Sequence, residues 1–179
     1  MQSTSQTIVI LGTGGTIAGT AASSTDNVGY TAAQIGVAQL LSAVPPLVGL
    51  ALESEQVAQL DSKDMDFATW QRLAQRVGHH LARVQVAGVV ITHGTDTLEE
   101  TAYFLQRVLA PSKPVVLTAA MHPATALLAD GPQNLLDAVT VAGLPGVQGV
   151  LVAMAGVLTP VKARIELLLR LLHSASLQR

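Results

Sequence analysis

The stretch ILGTGGTIAG, residues 10–19, decides how the rest of this chain reads. It starts inside an apolar run, Ile8-Val9-Ile10-Leu11, and passes at once into glycines and threonines. A continuous apolar run of this length suits a strand buried on both faces, as in a parallel sheet. The glycines let the backbone turn sharply, and the threonine hydroxyls then stand at the strand's carboxyl end. By itself the loop admits a cradle for phosphate, a turn whose threonines cap a helix, or a site for hydroxyl chemistry. Gly12, Gly14 and Gly19 do not have GxGxxG spacing and no GxxxxGK[ST] occurs, which counts against the first.

Outward from this loop, strand and helix signals take turns. Thr31–Ala43 reads as a helix with Thr31 as N-cap, stopped by Pro45 and Pro46. Residues 50–60 alternate as a second strand, and after Asp66 the residues Phe67, Trp70, Leu73, Val77 and Leu81 fall on one helical face. A buried strand follows at 86–91, then a helix over 98–109 with a predicted capping box of Thr97 and Glu100. Pro114 to Thr118, a helix after Gly131, and Val147 to Met154 continue the alternation. The pattern predicts an α/β, doubly wound parallel sheet with helices on both faces, over a domain of residues 1–154, followed by a divergent helical tail at 155–179.

Composition narrows the partners. The 179 residues are 49% hydrophobic and 12% charged, enough to bury a sizeable core. A net charge of -2 without a Lys/Arg run offers no footprint for nucleic acid or an anionic membrane, so a small uncharged or amphoteric ligand is expected. The absence of Cys excludes disulfides, thiolate metal sites and Cys nucleophiles. The polar start, Met1 to Gln6, has no signal-peptide pattern, and no apolar run reaches the roughly 18–20 residues of a membrane span, so a cytoplasmic location is expected.

In a doubly wound sheet, ligands sit beyond the carboxyl ends of the strands, where the strand order switches. There the chain places Gly12-Thr13-Gly14-Gly15-Thr16, Asp61-Ser62-Lys63-Asp64, Thr92-His93-Gly94-Thr95-Asp96-Thr97 and Ala119-Ala120-Met121-His122. Two hydroxyl clusters, a carboxylate and a lysine suit nucleophilic acyl transfer, with loop N–H groups as oxyanion donors. Asp96 could hold a substrate ammonium group or merely cap a helix.

GTGGTIAG (12–19) and ITHGTDTLEETAYFL (91–105), with NVGYT (27–31), DSKDM (61–65) and AAMHPATALLADGPQNLLDAV (119–139), resemble the bacterial L-asparaginase/glutaminase family, in order and nearly to Met154. The resemblance implies a flavodoxin-like N-terminal domain that hydrolyses the side-chain amide of asparagine, with glutamine as an alternative, and needs no metal or organic cofactor. It makes Thr16 the nucleophile, Tyr30 its assistant, Thr95 the second catalytic threonine and Asp96 the grip on the substrate α-amino group. Gly15, Ser62, Lys63, Thr95, Asp96 and Ala120 are the implied substrate-binding positions. A homo-oligomer is the family's expectation.

Departures stand beside the matches. Lys162 lies near the place of the family's relay lysine but outside its motif, and His122 replaces a usual arginine. The family's C-terminal domain, which adds acidic substrate contacts across a subunit interface, has no counterpart in these residues. Low activity of the chain by itself is therefore expected, the alternatives being a non-catalytic amino-acid-binding relative or a nucleotide-binding module. His79 and His80 read as solvated, His93 as a hydrogen-bonding support of the Thr95 loop, and Trp70 as core-facing. The apolar helix predicted at 165–172 would cover a sheet edge or face a partner.

Overall fold

The computed structural model describes residues 6–26 and 28–161. Strand β1 (Thr7–Gly14) leads into a ribbon of two short strands, β2 (Thr20–Ala21) and β3 (Tyr30–Thr31), and then helix α1 (Val37–Ser42). There follow β4 (Leu52–Leu60), α2 (Phe67–Leu81), β5 (Val86–Thr92), α3 (Leu98–Leu109), β6 (Pro114–Thr118), α4 (Gly131–Ala142), β7 (Gly149–Met154) and β8 (Val157–Pro160). The main sheet runs β4-β1-β5-β6-β7-β8, parallel except for β8, which turns back against β7. Counting its parallel strands along the chain gives the order 2-1-3-4-5, the flavodoxin-like winding, with its switch point between β1 and β5.

Alternation along the central strands assigns the two layers. Val9 and Leu11 pack with Leu73, Val77, Ala102 and Leu105 of α2 and α3. Ile10 faces the other way, into Val37 and Leu40 of α1 and Leu135 and Val139 of α4. Both faces being covered explains why the β1, β5 and β6 sequences are apolar runs rather than alternating ones. Among the described residues no helix is long and apolar enough to cross a membrane.

Four sequence expectations are corrected. Thr31 does not cap a helix; it pairs with Thr20 in the small ribbon, and α1 begins only after Gly36. The cause is the first loop: Gly15 O accepts from Ala33 N–H, and Ala18 O from the N–H groups of Gln34 and Ile35, while Ala33 takes a φ of +57°. Donors that would have started a helix are held by tertiary partners. Thr97 does precede α3, but its side chain makes no capping bond and instead donates to Ser62 O at 3.0 Å. Phe67 is 82% exposed, off the core that its spacing predicts. His80 is buried against Glu55 rather than solvated.

Past Met154, Ala155 and Gly156 turn the chain and Val157–Pro160 joins the sheet as β8, so the first residues of the expected tail are strand. Lys162 and the helix predicted at 165–172 lie outside the described residues.

Candidate active site

Loops from three adjacent strands meet at the switch point. Gly15 has a φ of +79°, and a Cβ there would overlap Gly94 Cα and N, so the first and third loops touch backbone to backbone. A Cβ on Gly94 would in turn overlap Ser62 Oγ. Only glycine permits either approach. Ser62, 2% exposed, then ties the second loop to the third: its Oγ accepts from Asp96 N–H at 3.2 Å and its carbonyl from the Thr97 hydroxyl.

Thr16 and Thr95 each follow directly on one of the touching glycines and each opens a short 3-10 turn. Thr16 is buried, and its Oγ lies 2.8 Å from the Tyr30 hydroxyl, which the β2–β3 ribbon carries to it. Thr95 is half-buried and Asp96 exposed. Thr16 and Thr95 thus stand on loops that touch at Gly15 and Gly94, with Asp96 next to Thr95, Tyr30 on Thr16 and Ser62 on the Asp96 N–H.

Three other candidates stand differently. Gly15 donates its N–H to Leu60 O and its carbonyl accepts from Ala18 and Ala33, so it offers a ligand space rather than a hydrogen bond. Ala18 and Gly19 also turn their N–H groups inward, onto Gly15 O and Thr16 O, and a loop so engaged is poorly equipped to cradle phosphate. Lys63 is 65% exposed and lies 2.8 Å from Asp61, whose hydrogen bond raises its pKa; it is a cation at neutral pH and not a base. Ala120 is buried after β6 and packs near Gly131 and Ile17. Next to it the Asp130 carboxylate accepts from the Met121 and His122 N–H groups, at 2.9 Å each, and holds His122 Nδ1 at 3.2 Å.

Beneath the loops, Thr13, His93, Thr101 and Trp70 form a hydrogen-bonded chain that sequence reading caught only at His93. The available signal was strand period: Thr13 falls on the same face as Leu11, toward α3. Burial pushes the His93 imidazole down from 6.5 to about 4, opposed by the Thr97 carbonyl, and leaves it neutral. Clefts of about 290 Å³ lie elsewhere, at the amino end of the sheet beside Lys113 and Pro145 and along β8 beside Thr140 and Val157. Neither gathers paired hydroxyls with a carboxylate.

Fold and site together define a class: a flavodoxin-like domain whose switch point presents a threonine–tyrosine hydroxyl pair over a buried, uncharged support. Known proteins agree on the fold. The family model "Asparaginase, N-terminal" matches residues 7–165. The chain is 48% identical over 143 residues to L-asparaginase 2 of Bacillus subtilis, covering 79% of this chain and 38% of that protein. It is 47% identical over 150 residues to the glutaminase-asparaginase of Pseudomonas fluorescens, covering 82% and 41%. The crystal structure of a probable cytoplasmic L-asparaginase from Campylobacter jejuni superposes with a TM-score of 0.84 at 44% identity, over 87% of this chain and 48% of that one. This chain belongs to the asparaginase family through that family's N-terminal domain. It spans about half the length, or less, of the relatives it matches.

Proposed function

We propose that this chain carries the catalytic loops of an L-asparaginase-type amidohydrolase, converting the side-chain amide of L-asparagine, with glutamine as the alternative substrate, to the acid and ammonia. The Thr16 hydroxyl oxygen attacks the carboxamide carbon, and its proton passes through the Tyr30 hydroxyl toward the departing nitrogen. The C–N bond breaks, ammonia leaves, and water hydrolyses the resulting threonyl ester to aspartate and free Thr16. The observation that carries this reading is the 2.8 Å Thr16–Tyr30 hydroxyl pair at the switch point. Thr95 serves as the second catalytic hydroxyl. Asp96 takes the substrate ammonium group, and Gly15, Ser62, Lys63 and Ala120 shape the rest of the binding edge.

The substrate is a small molecule, with neither nucleic acid nor membrane as partner; a net charge of -2 and a cysteine-free composition support this and a cytoplasmic setting. Self-association as a homo-oligomer follows the family. The 179 residues by themselves turn over slowly, because a threonine hydroxyl needs a base and Lys63 is held as a cation by Asp61.

Ammonia release from asparagine is the test, on the 179-residue chain alone and mixed with the C-terminal half of a relative. Slow release, raised by the added half and lowered on the order of 10³-fold by Thr16→Ala, supports the reading. Binding of asparagine with no ammonia under either condition would leave a non-catalytic amino-acid binder.

A further inference from the structure

The side chain of His93 is 1% exposed and stands between two hydroxyls, with Nδ1 2.9 Å from Thr13 Oγ and Nε2 2.8 Å from Thr101 Oγ. Thr13 directly precedes Gly14-Gly15-Thr16, and His93 directly precedes Gly94-Thr95-Asp96. Their one contact therefore bridges the first and third loops just before the residues assigned to catalysis. Proton counting orders the chain. Thr13 Oγ also lies 2.9 Å from the Thr92 carbonyl, which can only accept, so the single Thr13 hydroxyl proton is directed there. The Thr13 oxygen then accepts from Nδ1–H. Nε2, left bare, accepts from the Thr101 hydroxyl, whose oxygen accepts in turn from the Trp70 indole Nε1–H at 2.8 Å. With the proton on Nε2 instead, directed at Thr101 and the neighbouring Thr97 carbonyl, the Thr13 hydroxyl would have to abandon the Thr92 carbonyl to serve Nδ1.

We propose that His93 is a positioning residue which, as the Nδ1–H tautomer, latches the first loop to the third and so sets where Thr16 stands relative to Thr95. The inference rests on the catalytic reading of these loops and deepens it: His93 touches no substrate and acts through Thr13. A latch also differs from mere core filling, because only one of its two bonds matters to the loops. The side-chain amide of Asn reaches the place of Nδ1, and that of Gln the place of Nε2, so two substitutions separate the bonds. His93→Asn keeps the link to Thr13 and loses Thr101; His93→Gln does the reverse.

The experiment uses the whole chain. Ring ¹⁵N shifts of wild-type His93 are expected to show a protonated Nδ1 and a bare Nε2. Trp70 is the only tryptophan, so its indole N–H gives one reporter peak for the Thr101 end. In His93→Asn the indole peak should move while the Gly15, Thr16 and Thr95 amides stay; in His93→Gln the pattern should invert. Ammonia release should follow the loop amides, with kcat about tenfold lower in His93→Gln, near wild type in His93→Asn, and KM little changed in both. A protonated Nε2 in the wild type overturns the latch, and that measurement stands even if neither variant folds. So do loop amides or kcat that respond alike to both substitutions. Absence of ammonia release from the wild type would count against the proposed function alone, and the spectra would still decide the latch.

Discussion

Each flank of β1 ends near a buried histidine, and the two surroundings are built from opposite materials. On the β5 side, His93 meets only hydroxyls and backbone: Thr13, Thr101 and the Thr97 carbonyl, with Trp70 behind them. On the β4 side, His80 of α2 lies 2.8 Å from the Glu55 carboxylate and 3.1 Å from Arg83. Arg76 grips Glu55 with two bonds of 2.6 and 2.9 Å, and Arg83 grips Glu53 with two of 2.7 Å. β4 is an edge strand, where charged side chains discourage pairing with another sheet and solvent tempers their desolvation. In the reaction proposed for the switch point, a fixed charge beneath Thr16 would compete with the substrate's own. The contrast teaches that the layer beneath the touching loops is built from neutral donors and acceptors while β4 and α2 are joined by ion pairs; charged pairs return only at the rim of the carboxyl edge, in Lys63–Asp61 and His122–Asp130.

Acid should act on the two regions in separate pH windows. The folded value of His93, about 4, lies below the ordinary 6.5, so between these values the unfolded chain binds the proton more readily. Its contribution is fully present above about 6.5 and lost as pH falls toward 4, by up to about 3 kcal/mol. Glu55, held below its ordinary 4.5 by the Arg76 guanidinium, adds a further loss only below that value. Urea midpoints measured against pH should show both slopes, with His93→Gln removing the upper and Glu55→Gln the lower. An upper slope that disappears in Glu55→Gln would place the acid sensitivity on the flank and break the contrast.

Asp96 sharpens it, as the exposed carboxylate among the candidate catalytic residues. Asp96→Asn should weaken asparagine binding about 10- to 100-fold, or roughly 1.4–2.8 kcal/mol, because an ammonium loses its counter-charge. Stability should change by no more than about 0.5 kcal/mol, since Asn serves a helix start nearly as well as Asp. Calorimetry giving equal affinities would reduce Asp96 to a turn residue. The smallest effect is expected at Thr92, beside the latch, whose hydroxyl is the one buried side-chain oxygen without a partner among the described residues. Thr92→Val should raise stability by about 1 kcal/mol in urea titrations. A loss there would mean that the hydroxyl is bonded, and that the reactive end is fully satisfied.

Most of the fold was legible because its signals are local. Apolar runs buried on both faces gave β1, β5 and β6 their places, and helical spacing with Asp66 at the start gave α2, where Asp66 accepts from Thr69 N–H at 2.7 Å. Thr16, Ser62, Thr95 and Asp96 could be placed at strand ends for the same reason: the loop that follows a buried strand has to emerge at the sheet's edge. Phe67 shows the limit of period alone, since it lies on the apolar arc of α2 yet stays exposed, edge-on to Trp70 at 5.7 Å.

The sequence by itself determined the parallel α/β architecture, the family and the hydroxyl-bearing loops, all of which depend on residue type and near spacing. Only the tertiary structure decided how the loops are joined. The helix expected from Thr31 gave way to a ribbon because carbonyls of the first loop took its donors, and that ribbon is what brings Tyr30 to Thr16. Thr97 left its capping box for Ser62, and His80 left solvent for Glu55 across 25 residues. Thr13 met His93 across 80 residues. In each case a polar group found its partner in a segment distant along the chain, and which one lies within reach is set by the order of strands in the sheet, not by neighbours in the chain.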